Sequence, residues 1–250
     1  MNGPHEPIFL ENPADNGIVV FIHGFMGSPR QFYKFAESVH KQGKSATTLL
    51  LPGHGGSAKD FSIGTMERWQ RHVDSEIERL SRDYKDIRLV GHSMGGLLAL
   101  NAAVKYDEVI SGVLVMMSPF KLVAFSPTGM KARLKRVFVK KSHPMKAAPL
   151  LGNGVRHSPS LIWRVEKPFF ELKKLMRTTK EILAEVRAPV MAIYTRSDEL
   201  TSIKSLDILK AGLINAESFE QVILSDSMHA YYPEHERAII GQTILKFAFE

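Results

Sequence analysis

An apolar run, IRLV at 87–90, leads into GHSMGG at 91–96 and then into LLALNAAV at 97–104. The first segment reads as a strand and the last as a helix, so Gly91-His92-Ser93-Met94-Gly95 fits a strand-to-helix turn of the G-x-S-x-G type. Such a turn projects a serine hydroxyl from a sharp bend, and crowding there demands glycine two positions away on either side. The helix opening at Met94 also aims unpaired N–H groups and the positive end of its dipole at any anion forming beside Ser93. Read without chemistry, the segment is a glycine-rich turn whose serine caps the helix. The partners described below favour a nucleophile.

Outward from this turn, short apolar runs alternate with amphipathic stretches. IVVFIH (18–23), ATTLLL (46–51), IRLVGH (87–92), GVLVMMS (112–118), PVMAIYT (189–195) and SFEQVIL (218–224) read as strands buried on both faces of a parallel sheet. Helical patterns fall at 29–42, 65–84, 94–106, 203–211 and 234–249, with Met66, Trp69, Val73, Ile77 and Leu80 sharing one helix face. This order predicts an α/β fold: a mostly parallel central sheet flanked by helices, joined by right-handed crossovers. From Pro119 to Arg187 no buried strand appears, and helical patterns near 129–141, 167–177 and 179–187 are punctuated by prolines. The expected organisation is a core of 1–119 and 188–250 with a helical insertion at 120–187.

Composition narrows the function. The 250 residues are 44% hydrophobic and 24% charged, the balance of a globular protein. There is no cysteine, which excludes disulfides, thiolate nucleophiles and Cys-ligated metals. The opening MNGPHEPIFLENPADNG lacks the basic and apolar regions of a signal peptide, and no apolar run approaches the roughly 18–20 residues of a membrane span. A cytoplasmic address is expected. The net charge of +7 is concentrated: residues 121–187 hold 16 Lys+Arg against 4 Asp+Glu. The run Lys131, Arg133, Lys135, Arg136, Lys140 and Lys141 could attract anionic substrates or give a weak contact with an anionic membrane surface. A solvated helix face is the plainer reading. No nucleic-acid-binding module accompanies the charge, so no nucleic-acid partner is expected.

A serine nucleophile needs a base, an orienting carboxylate and donors for an oxyanion. Of ten histidines, His229 lies in the loop SDSMHAYY between the last strand and the last helix, where catalytic groups gather in such sheets. His54 sits in PGHGGS, where the glycines suggest a turn role, and His23 reads as a structural loop residue. Asp198 comes directly off PVMAIYT; its neighbour Glu199 is the alternative acid, and Asp226 reads as a turn former. The order Ser93, Asp198, His229 is the one this architecture imposes. HGFMG at 23–27 ends a strand, so the N–H groups of Phe25 and Met94 are the expected oxyanion donors.

Together HGFMGSP (23–29), PGHGGS (52–57), GHSMGG (91–96), SDE (197–199) and MH (228–229) closely resemble the α/β-hydrolase superfamily, and within it the bacterial carboxylesterase and monoacylglycerol lipase branch. The proline usual shortly after the acid is missing from Asp198-Glu199-Leu200-Thr201-Ser202. The resemblance implies a serine hydrolase cleaving carboxylic esters, such as short- to medium-chain acyl esters or monoacylglycerols, without metal or organic cofactor. It makes the insertion a lid whose apolar residues, with Phe25, would shape the substrate pocket: Phe120, Phe125, Phe138 and Trp163 among them. As in any core, most such residues simply glue helices to the sheet. The same triad serves thioesterases and carbon–carbon bond hydrolases, and the fold alone would also suit a non-catalytic ligand cup. The oligomeric state is not legible.

Overall fold

The computed structural model describes residues 5–123, 155 and 161–250, with backbone alone at 161 and 162. Phe125, Phe138, the basic run at 131–141 and the helical pattern at 129–141 lie outside these residues. Seven strands form one sheet: β1 (Phe9–Leu10), β2 (Gly17–Ile22), β3 (Ser45–Leu49), β4 (Asp86–His92), β5 (Ile110–Met116), β6 (Val190–Thr195) and β7 (Phe219–Leu224). Their spatial order is β1-β3-β2-β4-β5-β6-β7. Only β1 runs antiparallel to its neighbour; every other pairing is parallel. The described helices are α1 (Tyr33–Lys41), α2 (Ala58–Ser62), α3 (Met66–Leu80), α4 (Met94–Lys105), α5 (Leu161–Arg164), α6 (Glu166–Glu181), α7 (Lys204–Gly212) and α8 (Glu234–Phe249).

Strand β2 shows why the runs are apolar throughout. Ile18, Val20 and Ile22 join a core with Trp69, Val73 and Ile77 of α3 and Leu97 of α4. Val19 and Phe21 face the other way, toward Phe35 and Val39 of α1 and Ile240 and Ile244 of α8. Each such buried side chain contributes about 1.5–3 kcal/mol over an exposed one. Strand β7 departs from the expectation of two buried faces: only Leu224 is fully buried. It closes one edge of the sheet, so Glu220 and Gln221 meet solvent. β1, two residues long, carries no readable period and covers the opposite edge beside β3.

The C-terminal part of the expected insertion holds α5 and α6. Helix α6 joins the pattern expected at 167–177 to the start of that expected at 179–187 and ends at Glu181, before a 3-10 turn at Leu183–Glu185. Pro168 lies in its first turn, where the missing N–H costs nothing. Leu172 and Leu175 enter the same core as α3 and α4, and Asn101 of α4 donates to Thr179 at 3.1 Å. Helix α2 was not expected. It is nucleated by a capping box in which Ser57 and Asp60 satisfy one another's backbone N–H groups.

Where β4 turns into α4, backbone packs on backbone. A Cβ at Gly95 would drive into the carbonyl oxygen of Ile22 and lie 2.7 Å from that of His23. Neither can yield cheaply, since both belong to the end of β2. Gly95→Ala is therefore expected to lower the unfolding free energy by about 3 kcal/mol. Urea unfolding checks this, and an unchanged midpoint would contradict the packing.

Candidate active site

Ser93 stands between β4 and α4 with φ 54° and ψ −119°, a left-handed conformation that a side chain rarely adopts. Such strain costs on the order of 1–3 kcal/mol and persists only where the surroundings enforce it. Here its N–H is held by the carbonyl of Met116 at the end of β5, 2.8 Å away. Gly24 approaches from β2 so closely that a Cβ there would lie 2.9 Å from that of Ser93.

The hydroxyl meets His229 across 136 residues of sequence: Nε2 lies 3.0 Å from Ser93 Oγ. On the other side of the ring, Nδ1 lies 2.8 Å from Asp198 Oδ2. A carboxylate only accepts, so Nδ1 carries the proton and Nε2 presents its lone pair to the serine. Asp198 Oδ1 accepts from the N–H groups of Leu200 and Thr201, at 2.8 and 2.7 Å, which fixes the carboxylate without the missing proline. All three side chains are buried. Burial opposes an imidazolium at His229, but the charge of Asp198, its hydrogen bond and the charge of Glu199 outweigh it. The His229 pKa is raised above the ordinary histidine value.

Three further side chains set the loop that carries His229, and the sequence patterns had not assigned them these places. Glu199 accepts the His229 N–H at 2.9 Å. His92 Nε2 lies 2.8 Å from the His229 carbonyl and so donates to it. Glu236, in the first turn of α8, accepts from the N–H groups of Ser225, Asp226 and Ser227. Asp226 itself is exposed and pairs with His235 at 3.4 Å.

The loop after β2 is tied down by two buried histidines. His23 accepts from Leu51 N–H through Nε2 at 3.1 Å, and its Nδ1 donates to Gly24 O at 2.9 Å. His54 Nε2 accepts from Met26 N–H at 3.1 Å, holding Met26 at φ 56°. The turn closes through Gly27 N–H to Gly24 O, a bond that does not use the Phe25 N–H. Met94 opens α4, so its N–H belongs to the unpaired set at a helix start. The Phe25 ring packs edge-on against Phe61, with centroids 5.0 Å apart. Phe120 lies in the main core, its N–H bonded to Ser205 Oγ. Trp163, the other described residue expected to shape the pocket, lies on α5 and is 82% exposed.

The buried histidines give acid sensitivity a definite sign. Burial is the leading cause at each: His23 is held well below the ordinary value, His54 is lowered to about 4 and His92 to about 3. In the unfolded chain the same groups titrate near 6.5. Below that value the unfolded state binds more protons, so their contribution is full above it and is lost as pH falls toward the folded values. His229 acts oppositely, its contribution being lost as pH rises through its raised pKa. Urea midpoints should therefore decline from neutral pH through about 5.5 to about 4.5, and His54→Gln should flatten the decline. Midpoints that hold or rise over this range would contradict it.

The chain matches the profile of the alpha/beta hydrolase family over residues 19–235. A thermostable monoacylglycerol lipase from Bacillus sp. (strain H-257) is 25% identical over 244 residues, covering 97% of this chain and 93% of that protein. A solved structure from work on two metagenome-derived lipolytic enzymes, LipS and LipT, aligns with a TM-score of 0.77 at 21% identity, over 98% of this chain and 97% of the other. The thioesterase domain from the curacin biosynthetic pathway aligns with a TM-score of 0.64 at 21% identity, over 96% and 99%. These two likenesses speak for the fold. With the family profile spanning the sheet from β2 to the start of α8, this chain belongs to the alpha/beta hydrolase family.

Proposed function

We propose that this hydrolase cleaves carboxylic esters through an acyl-enzyme on Ser93. The observation that carries the reading is the buried relay Ser93–His229–Asp198, with both links at or below 3.0 Å. His229 Nε2 takes the hydroxyl proton as Ser93 Oγ attacks the ester carbonyl, and Asp198 balances the imidazolium. The N–H groups of Phe25 and Met94 receive the oxyanion. Collapse of the tetrahedral intermediate breaks the carbon–oxygen bond, and His229 returns the proton to the leaving alcohol. Water then attacks the acyl group by the same route and frees the acid.

The similarity to a monoacylglycerol lipase along nearly the whole chain supports an acyl ester of glycerol or of a comparable small alcohol. The apolar residues of the insertion after β5 set the acyl length in this reading. Among the described residues, no helix is long and apolar enough to cross a membrane.

A panel of p-nitrophenyl esters from acetate to palmitate tests the assignment. Ser93→Ala should lower kcat by at least about 10³-fold. For the wild type, kcat/KM should fall as pH drops through the raised pKa of His229, because the base must be neutral. Asp198→Asn should move that limb to lower pH and cut kcat by roughly 10⁴-fold. Substantial turnover by Ser93→Ala would overturn the nucleophile. Hydrolysis of acyl thioesters alone would keep Ser93 and overturn the ester.

A further inference from the structure

The peptide of His229 is gripped at both ends, and each grip comes from the chain neighbour of another member of the relay. Glu199, next to Asp198, accepts the His229 N–H at 2.9 Å. His92, next to Ser93, donates to the His229 carbonyl at 2.8 Å. Glu199 and His92 are both at least 96% buried. We propose that Glu199 and His92 are positioning residues for the base, a clamp that fixes the depth and rotation of the His229 peptide between nucleophile and acid. The proposal rests on the assignment of His229 as base.

Two features distinguish this clamp from ordinary loop packing. A neutral amide would suffice to accept one N–H, whereas burying a carboxylate carries a larger desolvation cost. Glu199 therefore offers more than the bond requires, and its surplus is negative charge beside a ring that becomes positive during turnover. The groups facing His229 are Asp198, Glu199, Ser93, the His92 ring with centroids 4.8 Å apart, and the Tyr232 hydroxyl, 3.5 Å from the His229 carbonyl. His92 is neutral because of burial, so Asp198 and Glu199 are the charges in that shell. The second feature is the His92 tautomer. Donation from Nε2 leaves Nδ1 as a buried lone pair without a partner among the described residues, facing Gly24, where a Cβ would sit 3.0 Å away. His92 gives up one hydrogen bond to make the other, as a residue placed for its reach to His229 would.

The test compares wild type, Ser93→Ala, Glu199→Gln, Glu199→Leu and His92→Leu. It uses two readouts: the pH dependence of p-nitrophenyl butyrate hydrolysis, and the proton NMR titration of the His229 Nδ1–H. Glu199→Gln keeps an acceptor and removes the charge, so both the acid limb and the NMR titration should move to lower pH. Glu199→Leu removes both and should lower kcat/KM roughly 10- to 100-fold, most of which Gln restores. His92→Leu should lower kcat roughly tenfold with KM little changed. An acid limb and an NMR titration in Glu199→Gln that match the wild type would overturn the role of the Glu199 charge, and an unchanged kcat in His92→Leu would overturn the clamp, even if Glu199→Leu fails to fold. Ser93→Ala separates the two levels. If it remains active, the nucleophile and the relay on which the clamp rests both fall; if it is inactive, the Glu199 and His92 variants decide the clamp alone.

Discussion

Around Ser93, backbone meets backbone, and the rest of the site depends on that contact. Gly91 and Gly95 face one another across the turn, and Gly95 also lies against the Ile22 and His23 carbonyls at the end of β2. No side chain fits between them. The turn can therefore be tight enough to hold Ser93 at φ 54°, and the first N–H groups of α4 arrive beside its hydroxyl. The same closeness brings the loop after β2 to Ser93. Ser93 and the expected oxyanion donors are thus placed by the sheet itself, through the pairing of β2 with β4.

His229 and Asp198 are placed differently, by loops at the ends of β7 and β6, and loops need polar anchoring. Here almost every anchor is buried. Glu236 collects three N–H groups and the Ser227 hydroxyl of the base loop. Thr195 of β6 donates to the Ser227 carbonyl at 2.6 Å, and Thr201 donates to the Met117 carbonyl at 3.2 Å. An unsatisfied buried polar group costs about 1–3 kcal/mol, so a displaced loop would forfeit several such bonds together. The rigidity that follows is what keeps His229 within hydrogen-bonding distance of both partners. Three neutral histidines, His23, His54 and His92, belong to this scaffold, which is why the site's order is tied to pH below the neutral range.

What could be read from sequence follows from the range of the physics involved. The turn at Ser93, the strands from β2 to β7 and the amphipathic face of α3 are local patterns, and each is where the residues indicate. The relay was legible because this fold fixes the chain order of its members. The clamp was not: His92 and His229 are 137 residues apart, and nothing local says that their loops meet. Glu199 shows the limit well. As a neighbour of Asp198 it competed for the role of acid, and only the direction of each side chain separates a partner of the imidazole from a partner of the peptide N–H. At α6, the Ser57-x-x-Asp60 kind of signal was absent, and Pro168 reads equally as a break or as a first-turn residue.

The central claim is that Ser93 carries the acyl group. Acid-quenching the protein within its first turnovers of a p-nitrophenyl ester, then mapping the peptides by mass spectrometry, tests it directly. The expected result is a mass increase equal to the acyl group, confined to the peptide that contains Ser93 and absent from Asp198→Asn or His229→Ala at the same time point. Hydrolysis proceeding without an adduct on Ser93, or with the acyl group on another residue, would contradict it.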